Sequence, residues 1–189
     1  MKTKLEFTDI AGNLPHGLKM CEVTEDGFTL ITQITGIQSL QNWRHVFLDH
    51  DDRVAIKDGK VVELEYSSGG YSAELGNFSK PILRPVSDLY ETIKHNGEEI
   101  IPIVELAKIH DARPQEWELN SLADRAQLVE HKMVYFFFGS DADFHSGSSR
   151  IGNQPALWDF MHELKIDYRG LIGAGLAISV HDIPIPVYE

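Results

Sequence analysis

Lys80-Pro81-Ile82-Leu83-Arg84-Pro85-Val86-Ser87-Asp88-Leu89 lies near the middle of the 189-residue chain. Two prolines four residues apart favour an extended backbone, and Arg84 is held out of the helical region by the Pro85 ring. Ile82 and Leu83 then point to opposite sides of an extended segment, so apolar cover is expected on both. Ser87 and Asp88 are candidate caps for a following helix, and Asp88 with Glu91 has capping-box spacing. Leu89 and Ile93 would share a face of that helix, with Asn96-Gly97 as its C-terminal stop. The stretch 80–97 is therefore expected to be an extended strap running into a short helix. Arg84 is its candidate binding residue. A planar guanidinium fork suits a carboxylate or phosphate, but its apolar neighbours favour a structural tie.

Outward from this strap, the N-terminal half is β-rich and the C-terminal half contains helices. Residues 1–16 form a broken lead-in. A strand from Gly17 to Val23, a turn at Thr24-Glu25-Asp26-Gly27 and a β-branched run from Phe28 to Ile34 predict a hairpin, with Trp43–Leu48 a further strand. A second hairpin spans Val54–Tyr66. A three-residue loop, Lys57-Asp58-Gly59, would put Val54 and Ile56 on one face with Val62 and Leu64, and this register is the expectation. The Gly/Ser-rich stretch from Ser67 to Asn77 reads as a mobile surface loop, which makes 67–79 the place for a seam between the halves.

After the strap, Glu98–Ile101 suits a short strand that Pro102 stops, followed by helical turns through Leu106 and Ala107. Ser121 and Asp124 mark a helix start, and Lys132–Phe138 reads as a strand buried on both faces. Pro155 opens a helix whose Leu157, Phe160, Met161 and Leu164 follow i, i+3, i+4, i+7 spacing. Leu176–Val180 is a final apolar strand. The fold class is α+β: a single domain over 1–189 with a mixed β-sheet.

Three separated signatures carry a resemblance. They are Leu14-Pro15-His16-Gly17-Leu18-Lys19, the central Lys80–Leu89 stretch with Asn96-Gly97, and Gly170-Leu171-Ile172-Gly173-Ala174-Gly175-Leu176-Ala177-Ile178. Their order and spacing resemble those of a family of small proteins encoded by phages, prophages and mobile elements of gut anaerobes. His16 stands where that family has an aromatic residue and Gly173 where it has an acidic one. The resemblance spans residues 14–178 and implies a phage or mobile-element context. It assigns no activity and no catalytic residue.

Seventeen basic against twenty-nine acidic residues give a formal charge of −12. This argues against a phosphate-tracking nucleic-acid binder and fits a basic protein partner or an acidic mimic of nucleic acid. The N-terminus lacks the apolar run of a signal peptide, and no run approaches a membrane span, so a cytoplasmic protein of the bacterial host is expected. Cys21 is the only cysteine, which leaves no intramolecular disulfide and no cysteine-based zinc site.

The sharpest chemical pattern is Asp141, Asp143 and His145, in a loop at 139–149 directly after the apolar strand. Two carboxylates and an imidazole suit a divalent metal, though an Asp- and Ser-rich loop is also ordinary turn chemistry. His45, His50, Asp51 and Asp52 form a second acidic-histidine group without defined ligand spacing. Gly170–Gly175 lacks both the GxGxxG pattern and a P-loop lysine, and no G-x-S-x-G elbow exists. No cofactor is expected, with a divalent metal as the one open option. The leading function is a non-enzymatic phage accessory protein that binds a host or viral protein. The alternatives are a small metal- or nucleotide-binding enzyme or ligand-sequestering protein using the 139–149 loop, and a nucleic-acid mimic.

Overall fold

The computed structural model describes residues 2–40, 43–48, 53–62, 71–74, 79–109 and 154–188. The strand expected at 132–138, the helix start at Ser121 and the 139–149 loop lie outside the described residues. The fold is α+β with a mixed sheet, as the sequence predicts. The chain divides into two compact units, residues 1–84 with 170–187, and residues 85–169 with 188–189. The division runs through the central stretch at Arg84/Pro85 and not at the expected 67–79. The reason is that strands on both sides of 67–79 belong to one sheet.

In the first unit, β1 (Lys19–Val23) and β2 (Thr29–Leu40) form the expected antiparallel hairpin. On the other edge of β1 lies β7 (Ser79–Leu83), and β10 (Ile178–Ser179) pairs parallel to β7. β3 (Trp43–Leu48) pairs with β2, and β6 (Tyr71–Glu74) pairs with β3. A loop expected from composition thus contains a strand, because an edge strand needs only one partner and little hydrophobic signal. The register of β2 against β3 shifts between Ile34 and Gly36, a bulge of the kind that bends a strand.

β4 (Val54–Lys57) pairs with β2 and with β5 (Lys60–Val62). The register is Ile56 opposite Val61 and Lys57 opposite Lys60, so the loop is the two residues Asp58-Gly59. The three-residue register is thereby corrected: Val62 shares a face with Ala55, not with Val54 and Ile56. The physical reason is the turn. Asp58 and Gly59 both take positive φ, 52° and 74°, the pair that a type I′ turn requires and whose twist matches the strands.

Buried apolar residues lie on both faces of the sheet, with Cys21, Ile31 and Ile56 on one and a larger cluster on the other. Leu18, Met20, Ile34 and Leu83 pack with Leu5, Ile10, Leu171 and Ala177. The lead-in is therefore part of the core. It forms a helical turn, α1 (Phe7–Ile10), closed by Asp9, whose Oδ2 accepts from the Glu6 backbone N–H at 2.8 Å and whose Oδ1 takes the Lys2 ammonium at 2.6 Å. Burying Leu5 and Ile10 is worth about 1.5–3 kcal/mol each, enough to hold a segment that has no long helix of its own.

In the second unit, Val86–Leu89 makes only a 3-10 turn. The helix expected after it is replaced by a hairpin of β8 (Ile93–His95) and β9 (Glu98–Ile100). Asn96 and Gly97, read as a helix stop, are its I′ turn, with φ of 52° and 81°. Asn-Gly between short apolar runs is a stronger hairpin signal than a capping-box spacing is a helix signal. Helix α2 (Pro102–Ile109) and helix α3 (Gln154–Glu163) follow as predicted. Leu157, Met161 and Leu164 join Leu89, Ile93, Ile103, Leu106 and Ile166 in this unit's core.

Candidate functional site

Chemistry-bearing side chains of the second unit gather at the C-terminal end of α3. The helix closes in a Schellman arrangement: Ile166 N–H donates to Met161 C=O and Lys165 N–H to His162 C=O, both at 3.0 Å. The residue in the left-handed position is Lys165 (φ 57°), where glycine is usual. Lys165 is buried, and its ammonium lies 4.7 Å from the centroid of the Tyr188 ring. Asp167 beside it is buried too.

Helical spacing separates two polar groups on the flanks of α3. Trp158 and His162 share one flank, where Tyr168 folds back over both. Its ring centroid is 4.8 Å from that of Trp158, and its hydroxyl is 2.6 Å from His162 Nε2. Arg169 Nε donates to the same hydroxyl at 3.3 Å. Phe160 and Glu163 lie on the other flank and meet the β8–β9 hairpin. His95 Nε2 is 2.9 Å from Glu163 Oε1, and its ring stands edge-on to Phe160 at 6.3 Å. A carboxylate only accepts, so Nε2 carries the hydrogen of this bond. Asn96 Nδ2 adds a longer contact of 3.4 Å to the same oxygen.

The His95–Glu163 contact ties the hairpin to the helix, and the hairpin then presents its outer face. Lys94 and Glu99 are cross-strand partners and are exposed, as are Glu91 and Glu98. Ile101, just past β9, is 37% exposed, one of few large apolar side chains so placed among the described residues. Among the described residues, β8 and β9 pair only with each other. The result is a two-stranded element with exposed acidic side chains, tied to α3 through His95 and, among the described residues, with neither edge paired to a further strand. Sequence reasoning missed it because Asn96-Gly97 was assigned to a helix end, although the Asn-Gly dipeptide itself was the available signal.

Arg84 is 9% exposed, at the end of β7, and is not without partners. Asp141, Asp143 and His145 lie outside the described residues, as do His50, Asp51 and Asp52. His45 falls in β3, opposite Glu74 in register. Among the described residues, no group of three His, Cys, Asp or Glu side chains is arranged to hold a metal, and no helix is long and apolar enough to cross a membrane.

Two sequence expectations about inert residues gain a physical account. Burial pushes the Cys21 thiol up to about 11, with Glu22 adding to the shift, so at neutral pH it stays protonated and unreactive. The glycine-rich 170–175 turn spends its amides on itself. Leu176 N–H donates to Leu171 C=O at 2.8 Å and Gly175 N–H to Ile172 C=O at 2.9 Å, a second Schellman arrangement with Gly175 left-handed. Those N–H groups are not directed at a phosphate.

Comparison with protein-family models, with curated proteins and with solved structures found no match for this chain.

Proposed function

We propose that this chain is a non-enzymatic accessory protein of a phage or mobile element, acting inside the bacterial host by binding a basic protein partner through the β8–β9 hairpin. The observation that carries this reading is the exposure of acidic side chains along that hairpin. Glu91, Glu98 and Glu99 are exposed, Ile101 just past β9 is exposed too, and among the described residues no other strand pairs with β8 or β9. Open edges accept an added strand by main-chain hydrogen bonds, and an apolar side chain rimmed by charge is the usual make-up of a small docking patch. The whole-chain charge of −12 favours approach of a cationic partner and disfavours nucleic acid. The polar contacts of α3 fit the same reading, because His95 and His162 each hold a neighbouring element in place.

The test is affinity capture from host cells with the parent and with a Glu91→Lys/Glu98→Lys/Glu99→Lys variant, followed by titration with the purified captured protein. The expected result is a basic protein that the parent binds directly and the variant does not. Capture unchanged by the three substitutions would move the interface elsewhere. A small molecule retained by the parent in native mass spectrometry would replace this reading with a ligand-binding one.

A further inference from the structure

We infer that Asn96 is a site of spontaneous covalent modification: its side-chain amide converts to a carboxylate through a cyclic imide with Gly97, and the His95–Glu163 contact sets the pace by holding the hairpin turn shut. The inference rests on the geometry of the hairpin and not on the partner proposed for it.

Asn96-Gly97 is the single Asn-Gly pair in the sequence. The backbone nitrogen of Gly97 is the nucleophile, and the side-chain carbonyl carbon of Asn96, Cγ, is the electrophile. The nitrogen gives its hydrogen to water and the N–Cγ bond forms. The Cγ–Nδ2 bond then breaks as Nδ2 takes up a proton, and ammonia departs. Water opens the five-membered imide at either of its two carbonyls. One opening leaves an aspartyl residue, the other an isoaspartyl residue whose main chain runs through Cβ. The sum consumes one water and releases one ammonia, with no oxidant and no cofactor. Approach to the Gly97 nitrogen is open. Both residues are exposed, and among the described residues nothing but chain neighbours lies within 4 Å of where a Gly97 Cβ would stand. Asp26-Gly27 and Asp58-Gly59 also place glycine in the left-handed region. A carboxylate, however, must lose an oxygen where an amide loses ammonia, so at neutral pH Asn96 is the reactive member of the three.

The folded turn withholds the reaction. Asn96 and Gly97 have φ of 52° and 81°, the type I′ arrangement, in which the first central residue has ψ of about +30°. Closing the imide needs the Gly97 nitrogen swung round to the Cβ side of the Asn96 Cα, a ψ that this turn does not hold. The ring therefore forms when the hairpin opens. β8 and β9 are three residues each and, among the described residues, pair only with each other. A two-stranded hairpin is marginal by itself, and local opening is governed by the few contacts such an element makes. Here they are Ile93 in the core and His95 Nε2 on Glu163 Oε1 at 2.9 Å. Asn96 Nδ2, the leaving nitrogen, reaches the same carboxylate oxygen at 3.4 Å.

Conversion undoes this tie. Either product replaces the Nδ2 donor with a carboxylate beside Glu163, and like charges at such range repel. The isoaspartyl product also adds a main-chain carbon to a two-residue turn, so the register of Lys94 opposite Glu99 and Ile93 opposite Ile100 is lost. The hairpin thus ages in one direction, from tied to untied.

The test is a time course on the full chain at mildly alkaline pH. Peptide mapping reads the mass gain at position 96, isoaspartyl-specific enzymatic methylation reads the isoaspartyl fraction, and amide hydrogen exchange reads opening of β8–β9. Each rate is taken relative to the same protein unfolded in urea, which removes direct effects of a substitution on the imide chemistry. The expected result is conversion at Asn96 in the folded parent, slower than in urea, with exchange protection over 93–100 falling as the isoaspartyl fraction rises. His95→Ala and Glu163→Ala should each speed the folded-state conversion roughly two- to five-fold, the range a half-exposed ion pair supplies. Asn96→Gln should abolish it, because its longer side chain closes a six-membered ring only slowly. A thermal melt confirms that each variant is folded. A folded parent that keeps Asn96 intact while the unfolded chain converts, conversion as fast folded as unfolded, or rates unmoved by both His95→Ala and Glu163→Ala would overturn the inference.

Discussion

Thr32 offers a sharp test of how the first unit is packed. It lies in β2 opposite Met20, 1% exposed, and its hydroxyl oxygen has no hydrogen-bond partner among the described residues. A buried hydroxyl left unsatisfied forfeits the hydrogen bonds it makes to water in the unfolded chain, a cost of about 1–3 kcal/mol. Thr32→Val replaces that hydroxyl with a methyl of nearly the same shape and keeps the β-branch that suits a strand. The extra van der Waals radius of the methyl takes back part of the gain. The expected outcome is a net stabilisation of about 1 kcal/mol, which in a chain of this length raises Tm by about 2–4 °C. Thr32→Ser keeps the hydroxyl and removes a buried methyl, so it should lose about 1 kcal/mol. Urea unfolding of the three proteins at equal m-value reads both differences. If Thr32→Val is less stable than the parent by 1 kcal/mol or more, the hydroxyl is satisfied by an ordered water and the argument fails.

Four further outcomes follow from the geometry. Cys21 should resist thiol reagents at pH 8, where a pKa of about 11 leaves roughly a thousandth as thiolate, and should react at once in urea; rapid labelling of the folded chain would contradict its burial. Because its folded pKa lies above the ordinary 9.0, the stability it contributes is complete below pH 9 and is lost as pH rises through about 11; a Cys21→Ala variant should lack that alkaline decline, while the burial-raised Tyr90 adds to it in both proteins. The half-exposed His95–Glu163 pair should give a coupling of about 0.5–1 kcal/mol in a double-mutant cycle with His95→Ala and Glu163→Gln, shrinking in high salt; strictly additive single variants would mean the contact ties nothing. Gly175→Ala should cost about 1 kcal/mol through its positive φ alone, since nothing lies within 4 Å of the added Cβ, whereas Gly173→Ala should be neutral or slightly stabilising; equal effects would remove the Schellman account of that turn.

What the sequence reveals here depends on whether the signal is local and one-sided. The β1–β2 hairpin and α3 were legible because a turn before a β-branched run in one and i, i+3, i+4, i+7 spacing in the other leave no rival pattern. The turn Asp58-Gly59 and the turn Asn96-Gly97 were misread for the same reason. Apolar parity and a capping-box spacing were weighed above turn chemistry, although an Asx-Gly pair at positive φ is the stronger local constraint. β6 could not be seen at all, because its place is fixed by β3 and not by its own four residues. The polar grouping at the end of α3 joins Glu163 to His95 across 68 positions. No spacing rule reaches that far without the fold.

Arg84 is where the sequence argument and the structure bear on one residue. Its guanidinium was expected to be held by partners because Ile82, Leu83 and Pro85 surround it with apolar chain. It is 9% exposed and has partners, at the point where β7 ends and the chain leaves the first unit. Removing a buried charge costs less for its own sake than for the polar groups left facing nothing. Arg84→Ala is therefore expected to lose about 3 kcal/mol in urea unfolding. Arg84→Met keeps the packing of the aliphatic stem and should recover only the share that packing supplies. Arg84→Lys restores charge without the planar fork and should fall between the two ends of the series. The order parent, Lys, Met, Ala marks a structural tie. If all four proteins unfold at the same urea concentration, the guanidinium holds nothing in the free chain, and a ligand contact becomes the reason for a buried arginine at this junction.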